Sequence, residues 1–259
     1  MRKLIFCFAV WHFFGSALAA EKVVLEMDND YAPYSYVENG ELKGLYVDLL
    51  KSIAARLAPA YDVQLQAIPW KRGLYNLEAG KSLAVLPAYR NKDRSYIQVY
   101  STPIYRETVV IFCNDDVMRK TLTQFPDDFS GLTVGVNLGF TLGEKMVAAA
   151  KKKVFSIVEA KGNEENLMKL QNKTIDCYAN DRLAAQYSAE QLRKNARLPQ
   201  FKDFKLREAA VISAEDTVIA YSLANTASYK ADVIAKMDAA LEAAKKSGVI
   251  DKMVAALSR

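Results

Sequence analysis

The segment from Tyr31 to Leu57 constrains the fold of this chain more than any other part of the sequence. It follows a short run of β-forming residues, Val23 to Met27, and it ends in an amphipathic stretch, Leu45 to Leu57. In that stretch the apolar side chains recur at helical spacing, so they share one face of a helix. The residues in between form an aromatic loop, Tyr-Ala-Pro-Tyr-Ser-Tyr, and a tight turn. A strand, a loop and a helix in this order predict the first unit of an α/β fold.

The rest of the chain continues this alternation. The predicted strands are Val23–Met27, Val63–Ile68, Leu83–Leu86, Thr108–Cys113, Thr133–Val136, Phe155–Glu159, Ile175–Ala179 and Thr217–Ser222. The predicted helices are Leu45–Leu57, Lys71–Ala79, Leu142–Lys151, Glu164–Leu170, Leu183–Lys194, Tyr229–Lys245 and Val249–Leu257. Strands that alternate with helices pair mostly in parallel, so we predict an α/β fold in which helices flank mostly parallel sheets.

The order of these elements predicts two lobes. Two similar strand-helix units are followed by two helices that belong to neither, which indicates that the second unit is inserted into the first. The strands Thr108–Cys113 and Thr217–Ser222 would then cross between the lobes. The predicted domains are a leader of residues 1–20, a first lobe of residues 21–112 and 217–259, and an inserted lobe of residues 113–216.

The first twenty residues have the pattern of a secretory signal peptide. Arg2 and Lys3 precede an apolar run from Leu4 to Phe14, and small residues follow up to Ala20. The apolar run is too short to anchor the chain across a bilayer. A lipoprotein would need a cysteine at the cleavage point, and Cys7 lies too far upstream. We therefore expect the mature chain to be soluble and exported to the periplasm.

Composition excludes several classes of function. The chain has 35 basic and 30 acidic residues, so loss of Arg2 and Lys3 leaves 33 basic residues and lowers the net charge from +5 to +3. This small excess, without a basic cluster, argues against binding to nucleic acid. The only histidine, His12, leaves with the leader. Its loss excludes Ser-His-Asp and Cys-His catalysis and metal binding through histidine, and we expect neither a metal nor a cofactor.

Two cysteines remain after the leader, Cys113 and Cys177. An oxidising compartment permits a disulfide between them. The sequence alone does not place their Cα atoms within bridging range. A bridge and two free thiols are therefore both open.

Five segments together carry a resemblance to a known family. They are Tyr31-Ala-Pro-Tyr34 with Gly44 and Asp48, Lys92-Asp-Arg94 followed by Ser101 to Tyr105, Gly131 to Thr141, Ile175 to Asp181, and Ala239 to Leu241 with Gly248 to Met253. In this order and spacing, the chain resembles the periplasmic solute-binding proteins of polar amino-acid ABC transporters. The resemblance implies a two-lobed type II periplasmic binding fold. It also implies a monomer that binds a small polar solute and an inner-membrane ABC permease as partner.

The resemblance implies three polar contacts to a zwitterionic solute. Arg94 matches the family's arginine for the ligand carboxylate, because a planar guanidinium can donate two parallel hydrogen bonds to it. Thr141 lies at a predicted helix start, where N–H groups and a hydroxyl can bind an anion. Asp181 matches the carboxylate for the ligand amine and follows a strand end, where ligands lie in open α/β sheets. The alternative interpretations are a surface arginine and two helix N-caps.

Aromatic residues are frequent near the expected cleft. Tyr31, Tyr34, Trp70 and Tyr89 can stack on a flat solute or face a cationic group, or they can belong to the core. Asp28 matches a family position that contacts a ligand side chain. The full set of expected binding residues is Asp28, Tyr31, Tyr34, Trp70, Tyr89, Arg94, Thr141 and Asp181.

One segment departs from the family pattern. Pro87-Ala-Tyr-Arg90 stands where the family often has small residues with a hydroxyl or a donating N–H. Proline has no N–H, so one usual donor to the ligand carboxylate is missing. An α-amino acid and a modified or non-amino-acid solute are both open as ligands.

The expected function is the capture of an amino acid or related solute for an ABC importer, without catalysis. The first alternative is an enzyme on the same fold, since some related chains act as cyclohexadienyl dehydratases. That chemistry needs a general acid in the cleft, for which Asp28, Asp30 and Glu107 are candidates. The second alternative is a receptor that signals the presence of its solute to a sensor kinase.

Overall fold

The computed structural model describes residues 20–257. The strands are β1 (Glu21–Asp28), β2 (Asp30–Tyr31), β3 (Ser35–Glu38), β4 (Glu41–Lys43), β5 (Tyr61–Ile68), β6 (Ala84–Tyr89), β7 (Ile97–Tyr100), β8 (Tyr105–Cys113), β9 (Thr133–Asn137), β10 (Ser156–Ala160), β11 (Cys177–Asp181) and β12 (Arg207–Ser222). The helices are α1 (Leu45–Leu57), α2 (Trp70–Glu78), α3 (Gly143–Lys151), α4 (Gly162–Gln171), α5 (Arg182–Lys194), α6 (Lys230–Lys246) and α7 (Val249–Leu257). The predicted leader, apart from Ala20, lies outside the described residues. Within residues 20–257, no helix is both long enough and apolar enough to cross a membrane.

Nine strands form one sheet with two parallel groups. Strands β5, β1 and β6 pair in parallel, and so do β10, β9 and β11. Between these groups lie β8 and β12, which pair antiparallel from Arg207↔Cys113 to Thr217↔Tyr105. The ninth strand, β7, pairs antiparallel with β12. Each parallel group alternates with helices along the chain, and α6 and α7 return to the first group. The prediction of a two-lobed α/β fold with an inserted second lobe is confirmed.

Each lobe has its own hydrophobic core. In the first lobe α1 packs its apolar face, Val47, Leu50 and Ile53, into a cluster that also contains Leu241 of α6. Burial of each such side chain contributes about 1.5–3 kcal/mol. In the second lobe a separate cluster forms around strands β8, β9 and β11. The predicted bounds of α1 match the observed helix because its apolar spacing is helical from end to end.

Strand β12 begins ten residues before the predicted strand at Thr217. Its pairing with β8 shifts register between Glu208 and Ala210 and again between Val211 and Ser213. Each such bulge adds a residue and reverses the alternation of inward and outward side chains. The sequence therefore lacks a continuous two-residue period there, and the first part of the strand was not predicted.

Strand β6 continues three residues beyond its predicted end and contains Pro87. The pairing of β6 with β1 ends at Leu86, and its pairing with β12 shifts register between Val218 and Ala220. Pro87 therefore occupies an irregular part of the ladder, where a residue without an N–H is tolerated. The extension places Pro87 and Tyr89 on a rigid strand rather than in a loop.

The structure joins Cys113 and Cys177 by a disulfide. The two residues are direct partners in the antiparallel pairing of β8 with β11, and their Cα atoms are 4.0 Å apart. The bond therefore links one crossing strand to the sheet of the second lobe. The question that the sequence left open is answered in favour of the bridge.

Candidate functional site

A cavity lies where the two lobes meet, with about 310 Å³ of empty space when its open mouth is counted. Its lining residues are Tyr31, Trp70, Pro87, Tyr89, Arg94, Phe140 and Thr141. Five of them follow the carboxyl ends of parallel strands: Tyr31 follows β1, Trp70 follows β5, Arg94 follows β6, and Phe140 and Thr141 follow β9. Ligands in open α/β sheets bind at this edge.

Arg94 is the charged residue of the cavity lining and is 9% exposed. One terminal nitrogen, Nη2, donates to the carbonyl oxygen of Gly139 at 3.1 Å. The guanidinium lies 5.7 Å from the centre of the Trp70 ring. Burial lowers the pKa of Arg94, and no carboxylate within residues 20–257 forms an ion pair with it. A buried guanidinium with unused N–H donors is a site for an anion, because burial of an unpaired charge is costly.

The rings beside Arg94 form an apolar wall. Phe140 of the second lobe packs edge to face against Trp70 and Tyr31, and its ring centre lies 6.1 Å and 5.3 Å from theirs. Trp70 Nε1 donates to the same Gly139 carbonyl as Arg94, at 3.2 Å. On the other side, Asn91 Nδ2 donates to Thr141 Oγ1 at 3.2 Å, so the hydroxyl proton of Thr141 is free to donate. These contacts join the lobes around the cavity.

Glu107 lies behind this wall and is 1% exposed. Its Oε2 accepts from the hydroxyls of Tyr31 at 2.6 Å and Tyr89 at 2.5 Å. Its Oε1 accepts from Tyr46 at 2.5 Å and Thr217 at 2.6 Å. Burial, together with the charge of Glu107, holds the pKa of each of these tyrosines well above its ordinary value. The tyrosines therefore stay protonated and keep donating.

Asp181 is also buried and does not line the cavity. It accepts from Tyr34 OH at 2.9 Å, from the N–H of Ala184 at 2.9 Å and from the N–H of Thr108 at 3.2 Å. The Ala184 bond makes it the N-cap of α5. Burial, and next the charge of Glu107, raise the pKa of Asp181 well above its ordinary range.

Asp28 and Tyr34 likewise lie outside the cavity lining. Asp28 ends β1, where its Oδ1 accepts from the N–H of Asp30 at 3.0 Å and burial raises its pKa to about 7. The ring of Tyr34 stacks on that of Tyr46, with the ring centres 4.8 Å apart.

The structure therefore brings together five of the expected binding residues: Tyr31, Trp70, Tyr89, Arg94 and Thr141. It adds Pro87 and Phe140, which the expected set lacked. Phe140 carries a usable sequence signal, because it lies between Gly139 and Thr141 in a family-like segment. The hydroxyl cluster on Glu107 has no such signal, since its donors come from four separate elements, β2, α1, β6 and β12.

The three candidate acids of the enzyme alternative are absent from the described cavity lining. Asp28 and Glu107 occupy the positions given above, and Asp30 packs against Gly162 at the start of α4. Within residues 20–257, no group of three or more His, Cys, Asp or Glu side chains could hold a metal ion.

Comparison with known proteins agrees with this architecture. Residues 23–256 match the family model of bacterial extracellular solute-binding proteins, family 3. No curated protein matches the chain in sequence. A histidine kinase sensor domain with similarity to periplasmic binding proteins has a TM-score of 0.74 and 18% identity, with 92% of this chain and 96% of that chain covered.

Two further solved structures are similar. The arginine-, lysine-, histidine-binding protein ArtJ from Geobacillus stearothermophilus has a TM-score of 0.70 and 22% identity, with 90% of this chain and 94% of that chain covered. The ancestral amino acid-binding protein AncCDT-1, a precursor of cyclohexadienyl dehydratase, has a TM-score of 0.69 and 20% identity, with 92% and 95% covered. At these identities the likeness shows the fold alone.

Proposed function

The chain belongs to the bacterial extracellular solute-binding proteins, family 3, and from this premise we propose that it is a periplasmic receptor for an ABC importer. It captures a small polar solute, an amino acid or a related compound, and holds an anionic group of that solute at Arg94. The observation that carries this proposal is the buried guanidinium of Arg94, which faces a cavity between the lobes and has no carboxylate partner within the described residues.

The proposed mechanism uses contacts that already join the lobes. A carboxylate beside Arg94 takes the unused N–H donors of the guanidinium and the hydroxyl of Thr141, which come from opposite lobes. Such a ligand favours the closed arrangement because the two sets of donors meet only there. The closed surface is then what an inner-membrane permease recognises. In this proposal the lobes are residues 21–112 with 217–259, and residues 113–216.

The proposal is for binding without catalysis. A dehydratase needs an acid that touches its substrate, and the carboxyl groups of Asp28, Asp30 and Glu107 lie outside the described cavity lining. A sensory role uses the same cavity and differs only in the partner that reads the closed form.

The test is a thermal-shift screen of the purified mature chain against small acids, amino acids, amines and neutral solutes. At a concentration of 100 Kd, a bound solute stabilises the fold by about 2.7 kcal/mol. We expect a rise in Tm with a carboxylate-bearing solute, and no rise with the same solute after Arg94→Ala. Arg72→Ala is the matched control, because Arg72 is an exposed residue of α2 that does not line the cavity. Absence of any shift across the library, or an equal shift in the Arg94 variant, contradicts the proposal.

A further inference from the structure

We propose that the solute is a small carboxylate without an amine, with an apolar and preferably aromatic body. This inference rests on the receptor function proposed above and narrows its ligand. Four features of the cavity carry it: the charge of its lining, the state of the nearby carboxylates, the direction of the hydroxyl protons, and the rings.

The charge of the lining favours an anion alone. Arg94 is its single charged side chain, and none of the described lining residues is acidic. A zwitterion would place its ammonium group in a small apolar cavity that already contains a cation. Burial of a charge without an opposite charge in contact is strongly unfavourable. A ligand that carries only the carboxylate avoids this cost.

The buried carboxylates of this region are already engaged. Each oxygen of Glu107 accepts two hydroxyl hydrogen bonds, so all four acceptor sites of the carboxylate are in use. Asp181 accepts from the Tyr34 hydroxyl and from two backbone N–H groups. An ammonium group could reach either carboxylate only by displacing these donors. Asp181 therefore caps α5 rather than offering a free acceptor.

The tyrosine hydroxyls separate Glu107 from the cavity. Tyr31 and Tyr89 both line the cavity, and both direct their protons to Glu107 Oε2. Their oxygens offer only neutral acceptors, which do not compensate an ammonium charge. The donors left for a ligand are those of Arg94 and Thr141. A site with charged donors and no charged acceptor is complementary to a carboxylate.

The rings favour a flat apolar body over a second cation. Trp70, Phe140 and Tyr31 form the wall in edge-to-face contact. The Arg94 guanidinium already lies over the Trp70 ring. A ligand cation held by these rings would lie next to a like charge, whereas an apolar chain or ring gains contact area.

Calorimetric titration of the wild-type mature chain with matched ligands tests the inference. Two pairs differ only in the amine: 3-phenylpropanoate with L-phenylalanine, and butanoate with L-2-aminobutanoate. A separate comparison, of benzoate with neutral benzamide, tests the need for the carboxylate. We expect the member without an amine to bind at least about tenfold more tightly in each pair, a difference of about 1.4 kcal/mol. Benzoate should bind and benzamide should not.

The outcomes separate this inference from the receptor function. Equal or tighter binding of the amino acids overturns the inference and leaves the receptor function in place. Tight binding of glycine betaine also overturns it, since that result would make the rings a cage for a cation. Binding by no compound of the panel or of the wider library overturns both.

Two substitutions of Tyr89 test the structural reason. Tyr89→Thr removes the ring that covers Glu107 and frees one acceptor site of Oε2. The affinity for each amino acid should therefore rise at least about tenfold relative to the affinity for its amine-free counterpart. Tyr89→Phe frees the same acceptor site but keeps the ring between Glu107 and the cavity, so it should keep the discrimination. An unchanged ratio in a folded Tyr89→Thr variant contradicts the inference. If that variant does not fold, the matched pairs on the wild-type chain decide.

Discussion

At the scale of single residues, the acidic side chains near the cleft are held by protein donors. Asp28 is 3% exposed, and its carboxylate accepts from the N–H of Asp30. Desolvation is the largest cause that raises its pKa from 3.8 to about 7. The folded state therefore binds this proton more tightly than the unfolded state does. Its contribution to stability is complete below pH 3.8 and is lost as the pH rises to about 7.

We expect Asp28→Asn to remove this loss. Asparagine keeps the oxygen that accepts from Asp30 and does not titrate. The free energy of unfolding of the variant, minus that of the wild type, should therefore rise by up to about 4 kcal/mol from pH 4 to pH 8. The estimate uses about 1.4 kcal/mol for each unit by which the pKa of Asp28 is raised. Urea denaturation at the two pH values measures this gain, with pH 4 as the internal reference. An equal difference at both values contradicts the account.

Sequence predicted the residue types of the site better than their contacts. Arg94 and Thr141 were predicted from local motifs, and both line the cavity. Asp181 was predicted either to meet a ligand amine or to cap a helix, and its hydroxyl donor in the structure, Tyr34, lies 147 positions away in sequence. Whether a carboxylate is free or already engaged depends on such distant partners. A motif of a few residues contains no information about them.

At the scale of elements, the disulfide fastens β8 to β11. Cys113 and Cys177 close a loop across 64 positions of sequence. A crosslink of this span restricts the unfolded chain and stabilises the fold by about 4 kcal/mol in the chain-entropy account, with 2–4 kcal/mol typical of measured cases.

We expect the double variant Cys113→Ser, Cys177→Ser to lose about 2–4 kcal/mol in free energy of unfolding. Urea denaturation with and without dithiothreitol measures the loss. Reductant should lower the stability of the wild type to that of the variant and leave the variant unchanged, which makes the variant its own control. A wild type that is insensitive to reductant after unfolding and refolding contradicts the bridge.

Elements with an unbroken period were predicted from sequence, and elements with interruptions were not. The bounds of α1 and α7 agree with the predicted ones because a helical apolar face continues through each. The beginning of β12 was missed because two bulges interrupt its alternation. The three short strands β2, β3 and β4 lie within one predicted loop and turn, and each is too short to show a period.

At the scale of the whole molecule, an acidic side chain of the first lobe lies against the backbone of the second lobe. Gly162 begins α4 with φ of +60°, and a Cβ atom there would overlap the carboxylate of Asp30 from the first lobe. Glycine at this position therefore allows Asp30 to reach the helix start, where the backbone dipoles favour a carboxylate. The order of elements predicted two lobes, but it could not predict this contact between them.

We expect Gly162→Ala to weaken closure and lower solute affinity by at least about tenfold. The matched control is Gly131→Ala, because Gly131 has φ of +78° and no atom within 4 Å of an added Cβ. Both variants carry the cost of a positive φ, about 1–2 kcal/mol, whereas only Gly162→Ala blocks Asp30. Calorimetry gives the affinities, and small-angle scattering with solute gives the closed fraction. Equal effects of the two variants contradict a role of this contact in closure.

A crystal structure of the mature chain with the tightest-binding compound of the ligand panel tests directly whether Arg94 holds the solute. We expect a carboxylate between the lobes, with both oxygens within about 3.2 Å of Arg94 nitrogens and with the apolar body against Trp70 and Phe140. A ligand bound elsewhere, or an Arg94 guanidinium that turns to a protein carboxylate while the ligand is bound, contradicts this expectation.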